Sequence, residues 1–325
     1  ALDVNSLYPY VMRTQLLPWG IPKRGHGEPK ETDEYPLWVG EVEFDAKLKA
    51  GKLPCIQMKN NMFYGDREYI RETIEPIILW VSSVDWKLIC DMYEVTVYSW
   101  GAHYSFHGSE GMYNDYIDYW TAEKIAAGKE GNKARRQNAK LALNNLYGKF
   151  GQKVEVQGKV PVLDEEEVLH FIDGDKVLRD PVYIPGAVFI TAWARNKTIR
   201  TACEFGDRYL YSDTDSIKAL GTDIPDDIYV DDYELGAWAL EETFDKGVFL
   251  RAKTYATVTD GKAEYICAGM TNALKSVMRF EDFRVGFTTL GSDNPDYANE
   301  DNWKLVPMNV RGGCVLVPRP FTIHG

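Results

Sequence analysis

Residues 37–58 alternate apolar and polar positions and include Val39, Val42 and Phe44, a pattern that predicts strands. Residues 69–93 mix helical spacing with aromatic side chains. From Met112 to Phe150 the periodicity is plainly helical, with a break near Gly128–Gly131, and a second helix is predicted over 186–205. Between these helices, Gln152–Tyr183 reads as a β-rich, acidic insertion. The first ten residues read as a strand end, a turn and a short helix, with Pro9 suited to a first helical position. Residues 208–220 place apolar runs on both sides of Ser212-Asp-Thr-Asp-Ser216, which predicts strand, turn, strand. Turns close the chain at Gly312-Gly313 and near Pro318 and Pro320. The expected class is α+β, with strands assembled from distant parts of the chain.

Composition narrows this picture. A chain of 325 residues, 45% hydrophobic and 26% charged, can bury a substantial core as about two domains or one elaborated domain. Its longest apolar run, Pro76–Val81, is far too short to span a membrane, so no membrane partner is expected. The chain begins with Ala, which predicts a fragment or processed product. Five scattered cysteines without a Cys-x-x-Cys pair argue against a zinc site or a disulfide framework and point to a reducing, cytoplasmic setting. A net charge of −12 disfavours nucleic acid as a partner at first sight, yet the distribution is uneven. Residues 121–153 carry eight Lys and Arg against two Glu, whereas 221–246 carry nine acidic residues and one Lys, which reads as a solvated acidic face.

Two constellations carry chemistry. Residues two apart on a strand share a face, so Asp213 and Asp215 can converge on one spot. Their repulsion is relieved by a hard divalent cation, magnesium or manganese; the plainer alternative is an acidic turn. Along the basic helix, Lys133, Arg136, Lys140, Asn144 and Tyr147 fall on one stripe, beside an apolar stripe of Ala139, Leu143, Leu146 and Phe150. The first stripe either grips a polyphosphate and stacks on a base or is an ordinary solvated basic face. Gly148 permits close approach of a partner. The five histidines are dispersed and form no acid–base constellation.

Taken together, four segments resemble the motifs of family B DNA polymerases. Asp3-Val-Asn-Ser-Leu-Tyr-Pro9 is similar to motif A, Lys140-Leu-Ala-Leu-Asn-Asn-Leu-Tyr-Gly148 to motif B, Tyr211-Ser-Asp-Thr-Asp-Ser216 to motif C, and Lys253-Thr-Tyr255 to the Lys-x-Tyr motif. Their order and spacing resemble the protein-primed phage branch, as do Cys267-Ala-Gly-Met270 and Gly312-Gly313, so the resemblance covers nearly the whole chain. Asn-Asn in motif B stands where that branch commonly has Asn-Ser.

The resemblance implies a right-hand polymerase fold with an antiparallel palm sheet, helical fingers, a small β-rich thumb and two insertions. The expected segments are palm 1–60 and 184–264, a first insertion 61–111 like the terminal-protein region, fingers 112–150, a β-hairpin insertion 151–183 and thumb 265–325. It implies DNA-templated addition of dNTPs to a primer 3′-hydroxyl with two Mg²⁺ or Mn²⁺ ions, held by Asp3, Asp215 and the Val4 carbonyl, with Asp213 in support. Tyr8, Arg136, Lys140, Asn144 and Tyr147 are the implied nucleotide-binding residues, and Gly148, Thr214, Lys253 and Tyr255 the implied DNA contacts. Implied partners are primer–template DNA, dNTPs, a terminal-protein primer and a separate exonuclease-bearing polypeptide; the chain itself is expected to be a monomer without proofreading. The alternatives are another palm-type nucleotidyltransferase, such as a reverse transcriptase or primase-like enzyme, and a non-catalytic DNA-binding scaffold.

Overall fold

A computed structural model describes residues 1–65 and 68–324. Asp66 and Arg67 of the expected first insertion, and Gly325 at the end of the expected thumb, lie outside the described residues. In chain order the elements are β1 (Leu2–Val4), α1 (Leu7–Thr14), β2 (Leu17–His26), β3 (Leu37–Leu48), β4 (Ile77–Ser82), α2 (Ser83–Met92), β5 (Tyr93–Ser109), α3 (Asn114–Lys129), α4 (Lys133–Phe150), β6 (Glu155–Leu163), β7 (Leu169–Leu178), α5 (Ile184–Glu204), β8 (Tyr209–Asp213), β9 (Ser216–Ala219), β10 (Trp238–Leu240), β11 (Lys246–Arg251), β12 (Thr254–Thr259), β13 (Lys262–Cys267), α6 (Asn272–Val277), α7 (Pro295–Ala298), β14 (Lys304–Val310) and β15 (Gly313–Arg319). The helix after the first turn begins at Leu7, two residues earlier than Pro9 predicts; Pro9 sits in the first turn, where its missing N–H costs nothing.

The chain divides into two compact units, residues 1–152 with 181–241, and residues 153–180 with 242–325. The first contains a small antiparallel sheet in the order β10-β1-β9-β8 and a larger one in the order β2-β5-β3-β4. Register in the small sheet is set by burial: Leu2, Val4, Ile217 and Trp238 all point into one core, shared with Leu7 and Val11 of α1, Leu143 of α4 and Phe189 and Ile190 of α5. The opposite face of β1 is thereby reserved for Asp3, which a one-residue slip would bury. In the larger sheet, Val42, Phe44 and Ala46 of β3 face a second core with Ile77 and Val81 of β4 and Leu88 and Met92 of α2.

Helices α3 and α4 form an antiparallel pair. Asn132 starts α4 by accepting the Arg135 N–H at 3.0 Å, and Arg135 reaches back to Glu123 on α3. In the second unit, β11-β12-β13 and α6 enclose Ala256, Tyr265, Leu274, Phe283 and Ile323. There the β6–β7 hairpin meets the β14–β15 hairpin tip to tip: the Gly312 N–H donates to the Glu167 carbonyl at 2.6 Å, and Arg311 pairs with Glu167 at 3.2 Å. Among the described residues no helix is long and apolar enough to cross a membrane.

Gly236 precedes β10 at φ +83°, and a Cβ there would land inside van der Waals contact with the Tyr10 ring. Gly236→Ala is expected to cost about 2–4 kcal/mol of stability, from the left-handed backbone and the overpacked ring together. A thermal melt within a degree of the parent would show that the ring moves aside freely.

Candidate active site

Strand β1 supplies Asp3 and ends at Val4. The Val4 N–H donates to the Asp215 carbonyl at 2.8 Å, which joins the end of β1 to the tip of the β8–β9 hairpin. That tip is tight: Thr214 sits at φ 52°, the Asp215 N–H donates to the Asp213 carbonyl at 2.6 Å, and Thr198 of α5 donates its hydroxyl to the Thr214 carbonyl at 2.8 Å. After Val4 the chain turns through Ser6, at φ 55°, into α1, which carries Tyr8. Six non-glycine residues have positive φ among those described; Ser6, Thr214 and Lys253 are three of them, and each falls in or beside a motif segment. Strain concentrated in this way marks positions over-determined by their surroundings.

These pieces wall a cavity of about 460 Å³. Asp3 and Asp215 line it together with the segment from Val4 to Leu7, and so do the cations Lys124, Arg136 and Lys140. Asn144, Asn145, Tyr8 and Tyr147 complete the lining. Tyr8 and Tyr147 stack with ring centroids 3.8 Å apart and planes 25° from parallel, so α1 and α4 meet through an aromatic pair.

The electrostatics are polarised. Burial, followed by the Asp215 and Glu241 carboxylates, pushes the Asp3 pKa up to about 7, and Lys140 and Lys218 pull against that rise. Asp215 is raised too, by burial and then by Asp213 and Glu241, again opposed by Lys140. Burial lowers the pKa of Lys124, as do the neighbouring charges of Arg136 and Lys140; its ammonium donates to Ser6 Oγ at 2.9 Å. Burial, with the Tyr147 phenol alongside, raises the pKa of Tyr8.

Of the residues singled out from the sequence, Asp3, Val4, Asp215, Tyr8, Arg136, Lys140, Asn144 and Tyr147 line the one cavity. Asp213 lies beside it, with Thr214 exposed at the hairpin tip. Lys133, on the same helical stripe, is not in the lining, and Gly148 is exposed with open space where a Cβ would go. Lys253 and Tyr255 belong to the second unit, where the Tyr255 ring lies 5.7 Å from Phe249. Sequence reasoning missed Lys124, Asn145 and Glu241. Lys124 stood inside the basic window, but on α3 rather than α4, and only the pairing of the two helices brings it to the pocket.

The donor set suits hard divalent cations. Two half-buried carboxylates whose charged forms are disfavoured face each other's field, and the described residues contain no cluster of three or more His, Cys, Asp or Glu that would complete a protein-only cage. Oxygen ligands from a bound polyphosphate would fill the remaining positions, a common arrangement for magnesium.

Antiparallel sheets and helices in an α+β arrangement, with paired carboxylates and a helix of cations lining one cavity, are the features that family comparison must account for. The chain belongs to the type B DNA polymerases of organelles and viruses, whose family pattern matches residues 1–232. It is 40% identical over 342 aligned residues to the DNA polymerases of Bacillus phages Nf and phi29, covering 99% of this chain and 57% of each of theirs. The DNA polymerase of Streptococcus phage Cp-1 is 33% identical over 99% of this chain and 56% of its own length. The phi29 DNA polymerase structure with primer–template DNA and incoming nucleotide superimposes with a TM-score of 0.89 at 40% identity, over 99% of this chain and 57% of that one. The chain thus spans little more than half the length of the relatives it matches.

Proposed function

We propose that this chain is a DNA-templated DNA polymerase core that adds dNTPs to a primer 3′-hydroxyl. The observation that carries the reading is the one cavity lined by both Asp3 and Asp215 and by Lys124, Arg136 and Lys140, a set of groups matched to a triphosphate whose reacting end must meet metal ions. Two magnesium or manganese ions held by Asp3, Asp215 and the Val4 carbonyl would, when bound, activate the primer hydroxyl and neutralise the developing pyrophosphate. The cations on α3 and α4 grip the phosphates. Asn144 and Tyr147 border the base, and Tyr8 lies under the sugar. Asp213 supports the carboxylate turn, while Gly148, Thr214, Lys253 and Tyr255 contact DNA. The relative solved with primer–template DNA and nucleotide supports the choice of substrates.

Within this reading the palm comprises 1–60 and 184–264, the insertions 61–111 and 151–183, the fingers 112–150 and the thumb 265–325. A terminal-protein primer and a separate exonuclease-bearing polypeptide are the further partners proposed. Primer extension on a defined template with magnesium and dNTPs tests the reading. Template-directed products are expected, and no extension with either magnesium or manganese overturns it.

Tyr8 carries a second expectation. Its ring is held by the stack on Tyr147, so a ribose 2′-hydroxyl above it must clash and shed water. Tyr8→Val is expected to leave dNTP use near normal and to improve ATP insertion relative to dATP by about tenfold or more, the yield of relieving about 1–3 kcal/mol of overpacking. Single-nucleotide insertion rates settle the matter; an unchanged ratio would leave Tyr8 as a packing residue only.

A further inference from the structure

Lys197 of α5 is a half-buried cation that the proposed chemistry does not use. Its ammonium lies 4.9 Å from the centre of the Tyr10 ring and 6.0 Å from that of Trp238, and no hydrogen bond or ion pair to it is found among the described residues. Burial lowers its pKa, so the charge is held at a cost that the two ring faces offset. An apolar side chain would fill the same gap without that cost.

What the two rings hold explains the placement. Trp238 is paired in register with Val4, and both are buried on the inner face of the small sheet. The next residues interlock: the Asn5 N–H donates to the Ala237 carbonyl at 2.9 Å, the Gly236 N–H to the Asn5 carbonyl at 2.9 Å, and the Asn5 side-chain amide to the Asp231 carbonyl at 2.8 Å. Tyr10 covers Gly236 from α1. Lys197 therefore ties α5, α1 and β10 together directly behind the segment Asp3–Ser6 that lines the cavity.

We infer that Lys197 is a positioning residue for the nucleotide: acting through Trp238 and Tyr10, it fixes the main chain from Val4 to Ser6 against which the triphosphate seats. This rests on the polymerase reading above. The ammonium touches no substrate; its part is to keep β1 and β10 in one registration, and with it the height of the Val4 carbonyl above the sheet.

Lys197→Met keeps the stem and removes the charge, and Lys197→Arg restores a cation able to lie over the same rings. The expected result is a KM for dNTP raised about three- to tenfold in Lys197→Met, the worth of one or two partly desolvated cation–ring contacts. Its kcat should stay within about twofold of the parent, and Lys197→Arg should return KM most of the way. Calorimetric binding of dATP with magnesium should show the same weakening without turnover, so the test stands even if the parent chain fails to extend primers, which would overturn the polymerase reading alone. The inference is overturned if Lys197→Met leaves KM and dATP affinity unchanged. It is equally overturned if kcat and affinity fall together with a loss of thermal stability that arginine does not repair, since that is the mark of a purely structural lysine.

Discussion

Asp3→Asn and Asp215→Asn are each expected to lower primer extension by about a thousandfold or more while leaving the fold intact, because the metal ions would lose a charge that sets both their binding and the stabilisation of the transition state. Activity within tenfold of the parent for either variant would sink the two-metal assignment. Asp3→Asn should also carry a stability signature in metal-free buffer. Burial, with Asp215 and Glu241 behind it, pushes Asp3 up to about 7, so the folded state holds this proton more tightly than the unfolded chain does. Raising the pH from about 4 to about 7 strips a proton that the folded state prefers to keep, so stability from this group falls across that window and stays lost above it. The asparagine variant lacks the penalty. It should therefore melt above the parent at neutral pH without divalent ions, with the gap closing in acid and on adding magnesium. A parent that melts higher at neutral pH would show that the two carboxylates are not in conflict.

Lys140 is the second position of large effect. It is the cation that opposes the pKa rise of both Asp3 and Asp215, and it lines the same cavity from the stripe of α4. Its charge acts on the resting site and, in the proposed reading, would act on the triphosphate as well. Lys140→Met is expected to reduce kcat/KM by about a hundredfold, as expected for removing one preorganised charge from a transferring phosphoryl group. Arg136→Met should cost less, since Arg136 is not among the largest influences on either carboxylate. Steady-state kinetics on a short primer–template would show the order; equal small losses for the two would make the stripe a solvated face after all.

Periodicity was enough to find this stripe, because a helix places residues three and four apart on one side whatever surrounds it. The same rule over-reached at Lys133, one turn too far from the cavity, since the wheel carries no information on where along its axis a helix meets its neighbours. Lys124 and Glu241 escaped for a related reason. The first reaches the pocket only through the packing of α3 on α4, and the charge of the second acts on Asp3 only because β10 runs beside β1. Neither has a local signature. By contrast, Asp3 and Asp215 were legible through motif resemblance, which encodes a tertiary pairing that spacing alone cannot. The strand–turn–strand at Asp213–Asp215 and the break at Gly128–Gly131 were legible in the residues themselves, where backbone conformation decides the outcome.

The position of β1 between β10 and β9 has a consequence for how this chain acquires its site. The strand bearing Asp3 is synthesised some two hundred residues before its partners, since both strands that can pair with it lie between residues 216 and 240. Until those emerge, its ladder groups have only water or wrong partners, and closing so long a loop is slow compared with forming the local α3–α4 and β8–β9 pairs. The carboxylate pair should therefore be among the last features to assemble, and a nascent chain halted before residue 216 should hold a formed helical hairpin beside an unfinished sheet. The same late step brings two mutually repelling charges together, so divalent ions present during refolding should hasten the closing of the sheet as well as its chemistry.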